Sequence, residues 1–192
     1  MKAFLLAVVL CLAIPAARAA EAKPRVQIDT SYGPFVVELE PDLAPKTVAN
    51  FLRYVKEGFY TDTIFHRVIE GFMVQGGGML KDFKEKPGHE PVVNEAQATF
   101  AAGLKNTRGT VAMARTDDPN SATSQFFVNT VANPALDTKD LTPAGYGYCV
   151  FGRVVSGMDV VAKIEKVHTV WFHGNPNVPE FPVRIKSAQL LP

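Results

Sequence analysis

The sequence predicts a mainly β fold, a closed or nearly closed β-barrel capped by two helices, and three observations point there. Short stretches of alternating apolar and polar residues recur along the chain, separated by glycine, proline and other turn formers. Only two segments carry helical spacing, and each has a single apolar stripe that must pack against something else. No internal repeat, low-complexity tract or linker divides the chain, so the strands have one body to join.

Taken in order, Val26, Ile28 and Thr30 alternate with polar neighbours, and Ser31-Tyr32-Gly33-Pro34 turns the chain into a returning strand from Phe35 to Leu39. Pro45 suits the first turn of a helix in which Val48, Phe51, Leu52 and Val55 fall at i, i+3, i+4 and i+7, and Gly58 stops it. The stretch from Phe65 reads as a strand with Phe65, Arg67 and Ile69 on one side and His66 and Val68 on the other. Gly71 turns it into a second strand, Phe72 to Gly77. A long loop is expected from Met79 to about Lys105, broken by Pro87, Gly88 and Pro91. Thr110 to Ala114 and Gln125 to Asn129 read as strands around a polar, turn-rich segment, Arg115 to Ser124. Tyr148 to Val155 is another strand, and Asp159 to Lys166 a short helix presenting Val160, Val161 and Ile164. His168 to Pro182 reads as loop, and Val183 to Leu190 as the last strand.

The first twenty residues differ from the rest. Lys2 precedes an uncharged apolar run from Ala3 to Ile14, then Pro15 and the small-x-small pattern Ala17-Arg18-Ala19. This is the layout of a cleaved signal peptide, residues 1–20, followed by one domain from 21 to 192. The apolar run is shorter than the roughly 20 residues a membrane span needs, so no membrane anchor is expected. The predicted location is outside the cytoplasm: the periplasm, or the medium if the organism lacks one. Loss of the leader removes Lys2 and Arg18 and leaves 18 basic against 19 acidic residues, a balance that argues against a nucleic-acid partner. Cys11 departs with the leader, so Cys149 stands alone, and the fold must rest on its core rather than on a disulfide. A chain of this size buries enough surface to do so.

Phe65-His66-Arg67, followed by Gly71-Phe72-Met73-Val74-Gln75-Gly76-Gly77-Gly78, concentrates chemistry in a short span. An arginine in an otherwise apolar strand is costly to bury unless its fork of donors is used. The plain alternative is a surface ion pair on an edge strand. The other polar groups carry less. His89, His168 and His173 have no carboxylate or cysteine at ligand spacing, so no metal is expected. The three glycines lack the Lys-Ser/Thr of a phosphate loop and read as a place for close backbone approach. Ser121 and Ser124 have no acid–base partner nearby. His66 reads as a hydrogen-bonded structural histidine, Phe126 as core, and Cys149 as a buried thiol. No cofactor is expected.

Those motifs, with Gly109-Thr110-Val111-Ala112-Met113-Ala114, Ser124-Gln125-Phe126-Phe127 and Val150-Phe151-Gly152, resemble the cyclophilins in identity, order and spacing over nearly the whole chain after the leader. Asn106-Thr107-Arg108-Gly109 and Ala114-Arg115-Thr116, together with the leader, look most like the bacterial periplasmic subgroup. The resemblance implies an eight-stranded antiparallel barrel closed by two helices, and peptidyl-prolyl cis-trans isomerase activity on proline-containing segments of exported proteins. It also implies a catalytic Arg67 with Gln75 beside it and a proline pocket of Phe72, Met73, Phe127 and Leu136. Ala114, Arg115, Thr116, Gln125 and Tyr148 would border the peptide groove. Ala135, where many eukaryotic members have tryptophan, implies weak cyclosporin binding. Arg115 stands where asparagine is common, and Tyr148 where histidine is common. A monomer is expected.

The implied chemistry suits these residues. An X-Pro amide resists rotation because its nitrogen lone pair is delocalised, with a barrier of roughly 18–20 kcal/mol. A guanidinium that donates to the nitrogen as the lone pair localises is favoured in the twisted transition state over the planar ground state. No nucleophile or titrating base is required. Two rivals remain at this stage. One is a groove that only holds proline-containing segments, and the other is a transport barrel around an apolar ligand, which would need a hollow interior. Arg115 at the groove would favour an acidic residue next to the proline.

Overall fold

The computed structural model describes residues 22–172 and 174–192; the expected leader, with Cys11, and His173 lie outside them. In chain order the elements are β1 (Arg25–Thr30), β2 (Gly33–Leu39), α1 (Pro45–Lys56), β3 (Thr63–Ile69), β4 (Met73–Leu80), α2 (Ala96–Ala101), β5 (Thr110–Met113) and β6 (Phe126–Asn129). A 3₁₀ turn at Pro134–Leu136 follows, then β7 (Val150–Ser156), α3 (Met158–Glu165), β8 (Thr169–Phe172), β9 (Asn175–Pro179) and β10 (Val183–Leu190). Eight strands close the predicted barrel in the order β1-β10-β3-β4-β6-β5-β7-β2. Every pairing around it is antiparallel.

Alternation along the strands sorts side chains between two apolar clusters. Val74, Val111, Met113, Phe126, Val128 and Phe151 join the larger, interior cluster with Phe35 and Phe65. Their neighbours Met73, Ala112, Phe127 and Val150 join a smaller cluster on the outer face. Phe51 of α1 packs into the interior, 5.1 Å from Phe151 and 5.7 Å edge-on to Phe126, and Phe126 lies edge-on to Phe65 at 6.1 Å. A transport barrel needs a hollow interior; this one is filled. Val161 and Ile164 of α3 are fully buried in the same core.

The helix α1 begins at Pro45, as expected, but its N-terminal amides find their partner far away in sequence. The Glu95 carboxylate accepts from the amides of Lys46 (3.2 Å) and Thr47 (2.8 Å) and from the Thr47 hydroxyl (2.7 Å). A negative group at a helix N-terminus is favourably placed against the helix dipole.

Three local expectations are corrected. The loop from Met79 to Lys105 contains α2, which its alanine content favours but whose six residues are too few to show a period. The tail from His168 to Pro182 contains the hairpin β8–β9, where Val170 pairs with Val178 despite the surrounding prolines and Gly174. In β3, Phe65 does not share a face with Arg67. Phe65 pairs with Gly76 and Arg67 with Gln75, so His66 is an extra residue at a shift in register. Such a bulge re-aims the chain, sending Phe65 and Val68 inward and Arg67 and Ile69 outward.

Truncating Phe126 removes a ring from the filled interior, whereas Phe127 already borders an open cavity. Phe126→Ala should lower the free energy of unfolding by ~3–5 kcal/mol, and Phe127→Ala by clearly less, as read from urea midpoints at unchanged slope.

Candidate active site

Register places a row of side chains across the outer face of the barrel. Arg67 on β3 is opposite Gln75 on β4, Gln75 is opposite Phe127 on β6, and Phe127 is opposite Ala112 on β5. A cavity of about 130 Å³ sits over this row, lined by Arg67, Phe72, Met73, Gln75, Ala114, Arg115, Phe127, Leu136 and Tyr148. The two remaining residues singled out from the sequence, Thr116 and Gln125, border an adjoining depression of about 150 Å³ that shares Gln75, Ala114 and Arg115 with the first. All eleven therefore meet on one surface.

Arg67 has no carboxylate partner among the described residues. Nor is β3 an edge strand, so the surface ion pair weighed as its plain alternative is absent. Its Nη1 makes only a long contact with Gln75 Oε1 (3.5 Å) and approaches Met73 Sδ (4.0 Å). Gln75 Nε2 in turn donates to Gln125 Oε1 (3.1 Å), so the two amides form a chain behind the guanidinium. The three glycines make room for the protein's own atoms, backbone at Gly76 and side chains at Gly77 and Gly78, rather than for a ligand's backbone. Gly77 has φ +86°, and a Cβ there would lie 2.8 Å from the Phe126 ring. A Cβ on Gly78 would overlap the Gln125 side chain.

Arg115 is built into the wall. Its Nε donates to Gly147 O (3.1 Å), Nη1 to Thr116 O (2.8 Å) and Nη2 to Pro143 O (2.9 Å), and its guanidinium lies 4.7 Å from the centre of the Tyr148 ring. Tyr148 meets Phe127 edge to face at 5.7 Å. With most of these donors already engaged, little of its hydrogen-bonding capacity is left for an acidic substrate residue.

Reading the sequence missed what holds the pocket's far wall. Asn129 Nδ2 donates to Asn106 Oδ1 (3.2 Å), and Asn133 Nδ2 donates to Asn129 Oδ1 (2.7 Å) and to Phe72 O (2.9 Å). Asn106 Nδ2 donates to Leu136 O (3.2 Å) and to the Asp137 carboxylate (3.0 Å). Asn106, Asn129 and Asn133 are buried, so this network is shielded from water and fixes the backbone of two pocket residues. The available signal was Asn129 ending an apolar strand, where an amide needs partners.

His66 meets its expectation only in part. Its Nδ1 makes no well-aligned hydrogen bond among the described residues, although the Ile64 backbone lies close enough to act on the ring. Burial lowers its pKa from 6.5 to about 4; the Ile64 backbone contact opposes that shift and the adjacent Arg67 charge adds to it. Cys149 is a buried thiol, as expected, and burial raises its pKa to about 11.

Comparison with known proteins agrees with this geometry. Residues 25–190 match the family model of the cyclophilin type peptidyl-prolyl cis-trans isomerases. The chain is 52% identical over 163 residues to peptidyl-prolyl cis-trans isomerase B of Escherichia coli (strain K12), covering 85% of this chain and 97% of that one. It is 47% identical over 193 residues to peptidyl-prolyl cis-trans isomerase A of Dickeya dadantii (strain 3937), covering 99% of this chain and 98% of that one. Among solved structures, the Cryptosporidium parvum cyclophilin type isomerase crystallised in the presence of the dipeptide Ala-Pro superimposes with a TM-score of 0.73 at 28% identity, over 88% of this chain and 99% of that one. The chain belongs to the cyclophilin-type peptidyl-prolyl cis-trans isomerase family.

Two outcomes follow from the side chains around the cavity. Between pH 6.5 and about 4 the unfolded chain protonates His66 and the folded protein does not, so the stability that His66 contributes is lost as pH falls through that window and is constant above it. His66→Gln should remove up to ~3 kcal/mol of that loss, measured by urea titrations at pH 7 and pH 4.5. Arg115→Ala frees the Pro143 carbonyl and leaves Gly147 O with only the Asn94 amide (3.2 Å), so amide exchange across residues 142–148 should speed at least ~tenfold by mass spectrometry while the barrel strands keep their protection.

Proposed function

We propose that this protein accelerates cis-trans isomerisation of X-Pro bonds in exported polypeptides, with Arg67 as the catalytic donor. The observation that carries the reading is a guanidinium that has no carboxylate partner among the described residues and faces Phe72, Met73, Phe127 and Leu136 across a small cavity. Phe72, Met73, Phe127 and Leu136 hold the prolyl ring and exclude water. Arg67 donates to the prolyl nitrogen as its lone pair localises, an interaction that gains strength only as the amide twists. Gln75, braced by Gln125, holds the fork in place. Met73, at 1% exposure, closes the floor beneath the ring. The dipeptide Ala-Pro, present in the crystals of the Cryptosporidium parvum protein, fits a substrate of this chemistry.

The destination of the clients rests on the N-terminal sequence, whose charged start, apolar run and Ala17-Arg18-Ala19 favour export. Folding limited by proline isomerisation takes tens of seconds without a catalyst, which gives such an activity its use.

The test is cis-to-trans relaxation of an X-Pro peptide by the mature protein and by Arg67→Ala. The wild type should accelerate it, with little variation from pH 6 to 9, where His66 is already neutral. Arg67→Ala should lose ~10²–10³ in kcat with KM changed by less than about threefold, the size expected when a donor acting in the transition state is removed. If the folded wild type gives no acceleration yet binds the peptide, the groove is a holding module instead.

A further inference from the structure

A second and larger cavity, about 510 Å³, shares Arg67 with the proline pocket and no residue with the depression at Thr116 and Gln125. Its walls come from three places. His66 reaches it from the bulge in β3, Met79 from the end of β4 with Asp82 and Phe83 just beyond, and Pro176 from the start of β9. The hairpin β8–β9 lies against β3, outside the barrel's own circuit of strands.

Phe83 holds this arrangement together. Its backbone sits at φ +61°, a conformation that bulky side chains rarely adopt, within a turn closed by the Phe83 amide on Leu80 O (2.9 Å) and the Leu80 amide on Lys84 O (2.9 Å). From there its ring packs 5.0 Å from that of Phe172 on β8, joining the turn to the hairpin. Strain of this kind persists where the surrounding structure over-determines it, and it concentrates at ligand sites.

We propose that this cavity is a second substrate subsite, which takes a large apolar side chain of the same polypeptide that places its proline beside Arg67. Continuity through Arg67 assigns the occupant: a chain lying in the proline pocket has this opening next to it. The walls set its chemistry. Met79, Phe83 and Pro176 give it an apolar side; Asn175 lines it as well, and the Asp82 carboxylate is engaged by Lys84 Nζ at 3.2 Å and by the Lys84 amide at 3.3 Å. The His66 ring is uncharged near neutral pH because burial holds its pKa at about 4. The volume lies within the range of ordinary ligand pockets, whereas the proline pocket is below it.

This rests on the proline-site reading, and the experiment separates the two. Peptides with one central proline are varied singly among Gly, Leu and Phe at each position from three residues before the proline to three after. Both kcat/KM by relaxation and Kd by calorimetry are measured for each. At one position not adjacent to the proline, Phe or Leu should exceed Gly by ~tenfold, through KM and Kd rather than kcat. Phe83→Ala, and independently Phe172→Ala, should reduce that ratio to about two. A ratio near one at every position in the wild type, or a ratio untouched in both variants, overturns the subsite. Absence of turnover with the binding preference intact would overturn the isomerase reading and leave the subsite standing.

Discussion

Phe35, Phe51, Phe65, Phe126 and Phe151 meet inside the barrel, and their rings pack edge-on or tilted at centroid distances from 5.1 to 6.4 Å. Protein interiors filled to this degree leave no space for a substrate. Chemistry must then sit on the outer face, made of the alternate residues of strands whose other residues serve the core. Arg67 reaches that face only because His66 is an extra residue in β3. Without the shift in register, the guanidinium would share the interior face with Phe65. The bulge has a cost, since it leaves His66 Nδ1 buried without a well-aligned hydrogen bond among the described residues.

What surrounds the guanidinium is stiff. Behind the cavity, three buried asparagines tie the backbones of Phe72 and Leu136 together, and Arg115 fastens the carbonyls of Pro143 and Gly147. These contacts pull in loops from well-separated parts of the chain. Electrostatic stabilisation of a transition state works best when the dipoles and walls need not rearrange during the reaction. An amide rotation that breaks no bond gives the protein little else to contribute.

Much of this was legible in the residues, and what was not has identifiable causes. Alternation in β1, β2 and β10 exposed the barrel, and the one-faced pattern of α1 its helical cap. The motif around Arg67 carried Phe72, Met73 and Gln75, while Ala114, Arg115, Phe127, Leu136 and Tyr148 were named only through the resemblance of other segments to the cyclophilins. The phase of β3 was misread, since a bulge is set by the pairing partner and leaves no mark on the strand's own period. The hairpin β8–β9 was hidden by prolines and glycine that also describe a loop, and α2 by its brevity. The asparagine network was invisible because its members lie at 106, 129 and 133 and become neighbours only when β5, β6 and the following turn are assembled. Arg115 looked like a free charge; only the fold brings it the carbonyls that occupy its donors.

Closure of the sheet has one more consequence. A protein that handles unfolded, extended chains is exposed to a particular hazard, because any unpaired strand edge offers a template on which a client could add itself. In the barrel each of the eight strands has a neighbour on both sides, so no strand offers a wholly unpaired edge to an incoming chain, although β10 and β3 pair only at Val183–Phe65 and Arg184–Ile64. The two-stranded hairpin β8–β9 lies outside that circuit, and its second strand carries Pro176 and Pro179, which lack the amide hydrogens a further ladder would use. The barrel's closure thus limits the ways in which an extended chain could be woven into the sheet.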